Sequence, residues 1–301
     1  MPMTSPLGRV LTAMVTPMSP DGSIDLEATA ALATYLVDEG NDGLVVNGTT
    51  GESATTTDEE KSQLVRAVVE AVGDRAAVIA GVGTNDTRHT IEVARQAQAA
   101  GADGLLVVTP YYNKPPQEGV LAHFRAVADA TELPNMLYDI PGRSGVPIET
   151  ETLLRLAEHP RIVAVKDAKG DFWGATKVLA ATDLTWYSGN DADNLLYLAI
   201  GATGFVGVTS HVAARAYAQM LAAWDAADIA GAQRIHRELV PVVDAVMNIT
   251  QGAIMSKAAL VELGVLRHAT VRLPLVEATP DQRAALADGL CASGLSGAVA
   301  R

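Results

Sequence analysis

The chain has 301 residues, a formal net charge of −13 and 49% hydrophobic residues, of which few are aromatic. That balance supports a large aliphatic core. It argues against nucleic acid and anionic membrane surfaces as partners, since both need a basic patch, but a small anionic substrate needs only one or two local cations. Cys291 is the only cysteine, which excludes an intramolecular disulfide and a cysteine-type zinc site, and it reads as a small buried residue.

Met1 to Val10 carries no basic patch followed by an apolar core. The longest apolar stretch, Leu198 to Ala214, is interrupted by glycines, Ser210 and His211, so no membrane span is expected and the reading is a cytoplasmic protein.

Short β-type runs and amphipathic segments then alternate. Val10 to Thr16 reads as a strand stopped by Pro17, and Asp25 caps a helix that ends at Gly40. Leu44 to Asn47 is a second strand, and Asp58 opens a helix with Leu64, Val65, Val68, Val69 and Val72 on one face. Ala77 to Ala80 leads into a helix capped by Asp86 or Thr87 that runs to Ala100. Leu105 to Val108 is followed by a helix from Gln117 to Ala130, and Met136 to Ile140 by one over Glu149 to Glu158. Ile162 to Lys166 precedes a helix over Phe172 to Ala181. Leu184 to Ser188 precedes one that Asp191 caps and that runs to Ile200. Phe205 to Val208 and Ala213 to Ala226 complete the series.

Strand–helix pairs of this kind imply right-handed crossovers, and eight of them close a barrel. The predicted class is therefore α/β: a (β/α)8 TIM barrel over residues 1–226, with an open doubly wound sheet as the alternative. Residues 227–301 read as a C-terminal helical extension packed on the barrel. Its helices are expected over Ile229 to Val246, Ala253 to Leu263 and Pro280 to Leu290, with Arg272-Leu273-Pro274 as a connector.

In such a barrel the chemistry collects at the C-terminal ends of the strands. Lys166 ends the apolar run Ile162-Val163-Ala164-Val165. An amine with an ordinary pKa of about 10.4 becomes a nucleophile when an apolar pocket lowers that value. The other strand ends offer Asn47-Gly48-Thr49-Thr50-Gly51-Glu52-Ser53, then Gly83-Thr84-Asn85, Tyr111-Tyr112, and Tyr138 with Arg143, and finally Gly189 and Val206. Each has a plain structural reading as turn glycine, packing aromatic or surface cation. Together, a buried amine, phenols, adjacent hydroxyls, glycine-rich N–H groups and a guanidinium constitute a site without metal-ligand spacing. The amine would attack a ketone to give a protonated imine, phenols and hydroxyls would relay protons, and N–H groups and Arg143 would hold carboxylates. The set reads as a Schiff-base aldolase for 2-oxo acids.

Gly48-Thr49-Thr50-Gly51-Glu52, Tyr138-x-x-Pro141-x-Arg143-Ser144-Gly145 and Val165-Lys166-Asp167-Ala168-Lys169 resemble, in combination, the dihydrodipicolinate synthase (4-hydroxy-tetrahydrodipicolinate synthase) family of pyruvate-dependent aldolases and lyases, in the style of its actinobacterial members. The likeness runs from Val10 to Leu290. It implies that Lys166 forms an imine with pyruvate and that the derived enamine attacks L-aspartate 4-semialdehyde. It also implies that Tyr138 shuttles protons through Thr49 and Tyr112, the latter from a neighbouring subunit. Thr50 would bind the pyruvate carboxylate through its N–H, Arg143 the semialdehyde carboxylate, and Gly189 and Val206 would supply backbone contacts near the imine. No metal, pyridoxal phosphate or other cofactor is implied, and the expected assembly is a homotetramer, a dimer of dimers. Ser53, Ala54, Asn85 and Tyr111 match a site at which some members bind L-lysine, but Asp58, Lys61 and His89 stand where a histidine or acidic groups often grip that effector. Asp139 replaces a frequent asparagine and is expected to point away from Tyr138.

Two other readings share Lys166, Tyr138 and Thr49. One is a sister lyase of the N-acetylneuraminate type acting on a sugar acid or hydroxy-oxo acid, which Arg143 disfavours. The other is a catalytically silent barrel that binds a 2-oxo acid, which the complete set of amine, phenol and hydroxyl disfavours.

Overall fold

Parallel strands covered on both faces need nearly unbroken apolar runs, and the chain supplies eight. The computed structural model describes residues 7–295; residues 1–6 and 296–301, which the two expected units include, lie outside the described residues. The strands are β1 (Val10–Ala13), β2 (Gly43–Val46), β3 (Ala77–Gly81), β4 (Gly104–Val108), β5 (Asn135–Asp139), β6 (Ile162–Asp167), β7 (Thr185–Ser188) and β8 (Gly204–Gly207). They pair in sequence order, all parallel, and β1 closes on β8 with Leu11 opposite Val206. The open-sheet alternative is thereby excluded.

The helices between the strands begin where capping chemistry allows. Asp25 accepts from the Ala28 N–H to start α1 (Leu26–Asp38). Thr57 and Glu60 form a reciprocal capping box at the head of α2 (Asp58–Val72), and Leu64, Val65, Val68 and Val72 are its buried face. Asp86, rather than Thr87, caps α3 (Thr87–Ala99). Next come α4 (Gln117–Asp129), a single turn α5 (Pro141–Ser144) that the sequence reading lacks, α6 (Thr150–Leu156) and α7 (Phe172–Ala181). The helix expected over Asp191 to Ile200 is shorter. A 3-10 turn covers Asp191–Asp193 before α8 (Asn194–Ala199), because the Asp191 carboxylate is engaged elsewhere and does not cap it. After β8 runs α9 (Ser210–Asp225).

The helix expected over Ile229 to Val246 is two helices, α10 (Ile229–Glu238) and α11 (Val240–Met247). Pro241 has no N–H to continue the first, yet fits the first turn of the second. Then follow α12 (Gly252–Glu262) and α13 (Pro280–Ala292). Cys291 is exposed, contrary to expectation, because α13 buries the stripe of Leu286, Gly289 and Leu290. Among the described residues no helix is long and apolar enough to cross a membrane.

Alternation along the strands divides the core in two. Leu44, Val46, Leu105, Val107, Leu137 and Val165 face the helical layer. Val45, Ile79, Leu106, Met136, Tyr138 and Ala164 belong to the other cluster, which continues into Val242, Val246, Met255 and Leu286 of the C-terminal helices. Period two therefore puts Lys166 on the face of Ala164, inside the barrel, and Asp139 and Asp167 on the outer face.

Candidate active site

The β5–β6–β7 register sets Tyr138 opposite Lys166 and Lys166 opposite Tyr187. The strand runs on past Lys166 to Asp167, so the amine lies within the barrel wall and not beyond its rim. Lys166 is 4% exposed and its Nζ sits 4.3 Å from the centroid of the Tyr138 ring. Burial pulls the amine down to about 8, with Arg143 acting in the same direction and Asp191 opposing it. Burial likewise pushes the Tyr138 phenol up to about 12, against Arg143 and a hydrogen bond shared with the Thr49 side chain. The buried apolar wall thus favours the uncharged form of both groups.

Three supports hold this pair. A Cβ built on Gly189 would lie 3.0 Å from Lys166 Cγ and 3.1 Å from the Ala168 Cβ, so any larger residue there would crowd the lysine stem. Val206 is fully buried in β8 within the cluster that holds Tyr138. Asp191, missed as a site residue, is 1% exposed: its Oδ2 accepts from the Val208 N–H at 2.9 Å and its Oδ1 from the Tyr217 hydroxyl at 3.3 Å. Burial raises its carboxyl above the usual range, and its field acts on Lys166. An aspartate after a strand and before a helix looks like a cap; only its contacts with β8 and α9 reveal a different role.

The Thr49–Thr50 loop stands beside the pair. Thr50 is 7% exposed, and among the described residues the N–H groups of Thr50 and Gly51 donate to nothing within the chain. They are free for an anion. The loop is closed by bonds from the Glu52 N–H to the Thr49 carbonyl and from the Ser53 N–H to the Gly48 carbonyl.

A cavity of about 480 Å³ opens at this end of the barrel, walled by Thr49, Glu52, Ser53, Ala54, Tyr111, Tyr112 and Arg143 with Gln251, Pro274 and Leu275 of the C-terminal region. Thr49 belongs to this wall and, through Tyr138, to the buried pair; Lys166, Tyr138, Thr50, Gly189 and Val206 are not in the wall. Arg143 is exposed on α5, and the Ser144 carbonyl beside it accepts from the Tyr112 N–H at 3.3 Å. Tyr112 is 88% exposed with φ +72°, a strained conformation for a residue with a Cβ. Ser53, Ala54 and Tyr111 share the cavity, whereas Asn85 lies outside its wall and its carbonyl accepts from Asn113 Nδ2 at 2.9 Å. Asp58 is already paired, with His89 at 2.8 Å and Lys61 at 3.7 Å.

Asp139 does point away from Tyr138. Its Oδ1 accepts from the Ile148 N–H at 3.1 Å and its Oδ2 lies 3.2 Å from Lys169 Nζ. His211 is buried, accepts the Val15 N–H at Nε2 and lies 2.7 Å from the Val208 carbonyl at Nδ1. Burial lowers it to about 4, so it is a neutral packing group.

The family model described as the Dihydrodipicolinate synthetase family matches residues 6–293. The 4-hydroxy-tetrahydrodipicolinate synthase of Kineococcus radiotolerans is 63% identical over 97% of this chain and 94% of its own length. A crystal structure of a dihydrodipicolinate synthase from Bacillus anthracis superposes with a TM-score of 0.92 at 43% identity, covering 95% of this chain and 98% of that one. That of the Cyanidioschyzon merolae enzyme, with lysine bound, gives 0.92 at 41% identity, covering 96% and 99%.

Proposed function

The chain belongs to the dihydrodipicolinate synthetase family, and from that premise we propose that Lys166, Tyr138 and Thr49 carry its reaction, the condensation of pyruvate with L-aspartate 4-semialdehyde to 4-hydroxy-tetrahydrodipicolinate in diaminopimelate and lysine biosynthesis. The observation that carries the assignment is the buried Lys166 amine against the Tyr138 ring, on the inner face of a closed barrel. With the amine at about 8, roughly one in ten is neutral at pH 7, against roughly one in 2,500 for an ordinary lysine.

Neutral Nζ attacks the pyruvate ketone carbon, and water leaves as the protonated imine forms. The imine draws electrons from the neighbouring methyl group, which loses a proton to give the enamine. The enamine carbon adds to the semialdehyde's carbonyl, whose oxygen takes a proton and remains as the hydroxyl. The substrate amine then displaces Lys166 from the imine carbon, closing the ring and freeing the enzyme. One water is released in all.

Tyr138 gives and takes the protons in this reading, with Thr49 as the first relay member and Tyr112 the outer one. The free N–H groups of Thr50 and Gly51 suit the pyruvate carboxylate. Arg143, on the cavity wall, suits the semialdehyde carboxylate. Gly189 and Val206 pack about the imine. The exposure of Tyr112 supports its use by a neighbouring copy in a homotetrameric, cytoplasmic enzyme, and Ser53, Ala54, Asn85 and Tyr111 are assigned to an L-lysine effector site. The chemistry needs no cofactor beyond the imine.

Borohydride reduction in the presence of pyruvate, followed by peptide mapping, tests the assignment together with a turnover assay using the semialdehyde. A stable pyruvyl adduct on Lys166 and turnover are expected. Absence of the adduct would remove Lys166 from its role, and an adduct without turnover would return the chain to the sister-lyase reading.

A further inference from the structure

A second lysine is more deeply buried than Lys166, and the reaction scheme does not use it. Lys257, on α12, is fully buried; its Nζ donates to Glu52 Oε1 at 2.5 Å and to the Thr270 carbonyl at 2.6 Å. The Glu52 side chain is 1% exposed, and its other oxygen accepts the Arg272 N–H at 2.9 Å. Arg272 continues the network outward: its guanidinium donates to the carbonyls of Thr55 at 2.8 Å and Gly22 at 2.9 Å and forks onto both oxygens of Glu60.

Glu52 follows the Thr49-Thr50-Gly51 stretch directly and holds φ +57°, a left-handed conformation that a side chain with a Cβ adopts only when its surroundings enforce it. Just before it, the Gly51 carbonyl is pinned by the Thr16 hydroxyl at 2.7 Å. The loop that presents Thr49 to Tyr138 is therefore fastened at its far end by a charge from α12. The cavity wall repeats the connection: Gln251 precedes α12, and Pro274 and Leu275 follow Arg272. A buried ion pair adds little stability over apolar residues of the same shape, because desolvation offsets the attraction.

We propose that the Glu52–Lys257 pair is the device by which the C-terminal helices hold the Thr49–Thr50 loop in its reactive shape, making Lys257 a positioning residue for the condensation. The inference rests on the reading of Thr49 given above. Lys257 touches no substrate. It fixes the loop from which Thr49 reaches Tyr138, and a displacement of ~1 Å there is enough to slow the proton transfers by ~10²-fold.

Three variants of the full chain test this, each assayed for pyruvate trapping, steady-state turnover and thermal midpoint. Lys257→Met leaves the buried Glu52 carboxylate without its countercharge, holding only the Arg272 N–H. The pair Glu52→Gln with Lys257→Met removes both charges and keeps the volume, so it folds even if the single variant does not. Leu286→Ala destabilises α13, away from the loop, as a stability control. The expected result is a fall in kcat of ~10- to 100-fold in the doubly neutral variant, with trapping at Lys166 retained and KM for pyruvate changed far less. Leu286→Ala should keep wild-type kcat despite a lower midpoint. Adding Thr49→Val to the doubly neutral variant should then cost much less than it does alone, since both act through one contact. Wild-type kcat in the doubly neutral variant, or independent multiplication of its effect with that of Thr49→Val, would overturn the proposal. Failure of the wild-type protein itself to turn over the semialdehyde would instead strike the functional reading on which it rests.

Discussion

The Asp191 carboxylate and the Lys166 amine are buried neighbours that act on each other without touching through a hydrogen bond. The carboxylate is occupied by the N–H groups of Val208 and Thr209 and the Tyr217 hydroxyl, and only its field reaches the amine. Burial favours the neutral amine and Asp191 the charged one, so the lysine ends at about 8 instead of lower. The rate of pyruvate trapping should accordingly rise with pH up to about 8 and then level off. Asp191→Asn removes the opposing charge but keeps an acceptor for the backbone, and the rising limb should move to lower pH. A limb that stays in place or moves upward in stopped-time borohydride assays would show that Asp191 does not tune the amine.

Gly189 yields a steric prediction. An alanine there would press on the Lys166 stem and on Ala168, and the stem would have to give by a few tenths of an ångström. Gly189→Ala should lower kcat/KM for pyruvate by up to ~10²-fold, the scale of a 1 Å misplacement, while circular dichroism and the thermal midpoint show a folded protein. Unchanged trapping kinetics would mean that the lysine has room the structure does not show.

Arg143 lies on the exposed cavity wall and reaches the buried pair only through its field, so its loss should bear mainly on the second substrate. Arg143→Ala should retain pyruvate trapping but raise KM for the semialdehyde by about 10- to 100-fold, the worth of a hydrogen-bonded charge pair. Loss of trapping would contradict the role assigned to it.

Glu60 bears on stability. Its bond to Arg272 holds the carboxyl at about 2, well below its ordinary value of 4.5. A depressed carboxyl contributes stability that is present above pH 4.5 and is lost as pH falls toward about 2. Glu60→Gln keeps the capping box, which accepts either residue at that position, and removes only the charge. Its thermal midpoint should lie below wild type at pH 7, with the gap closing as pH falls through that window. A gap independent of pH would assign the loss to packing.

The strands and Lys166 were legible because period-two apolar runs are local, and a lysine after four apolar residues is conspicuous in one dimension. Tyr138, Thr49 and Arg143 were legible as polar residues at strand ends, to which the family likeness gave roles; Tyr138 lies in β5, and Thr49 and Arg143 follow β2 and β5. Three features were hidden for one reason. Asp191 looks like a cap until Tyr217 and Val208 come into contact with it, and Glu52 looks like the polar end of a glycine turn until Lys257 arrives from 205 residues away. Cys291 looks like a core residue until the stripe on α13 is known. Each depends on packing partners that local patterns do not encode. The break at Pro241 was readable in principle, since proline ends one helix and starts another, but the apolar stretch around it reads as continuous.

Closure of the barrel has a consequence for how the molecule is made. Strand β1 finds its second neighbour only in β8, with Val10 opposite Phe205, so a chain emerging from the ribosome carries an unpaired strand edge until two-thirds of it has been synthesised, and such edges invite aggregation. The Glu52 anchor waits longer still, for residue 257. A nascent chain stalled between those two points would hold a completed wall around its lysine and an unmoored loop above it, a container assembled before it can work.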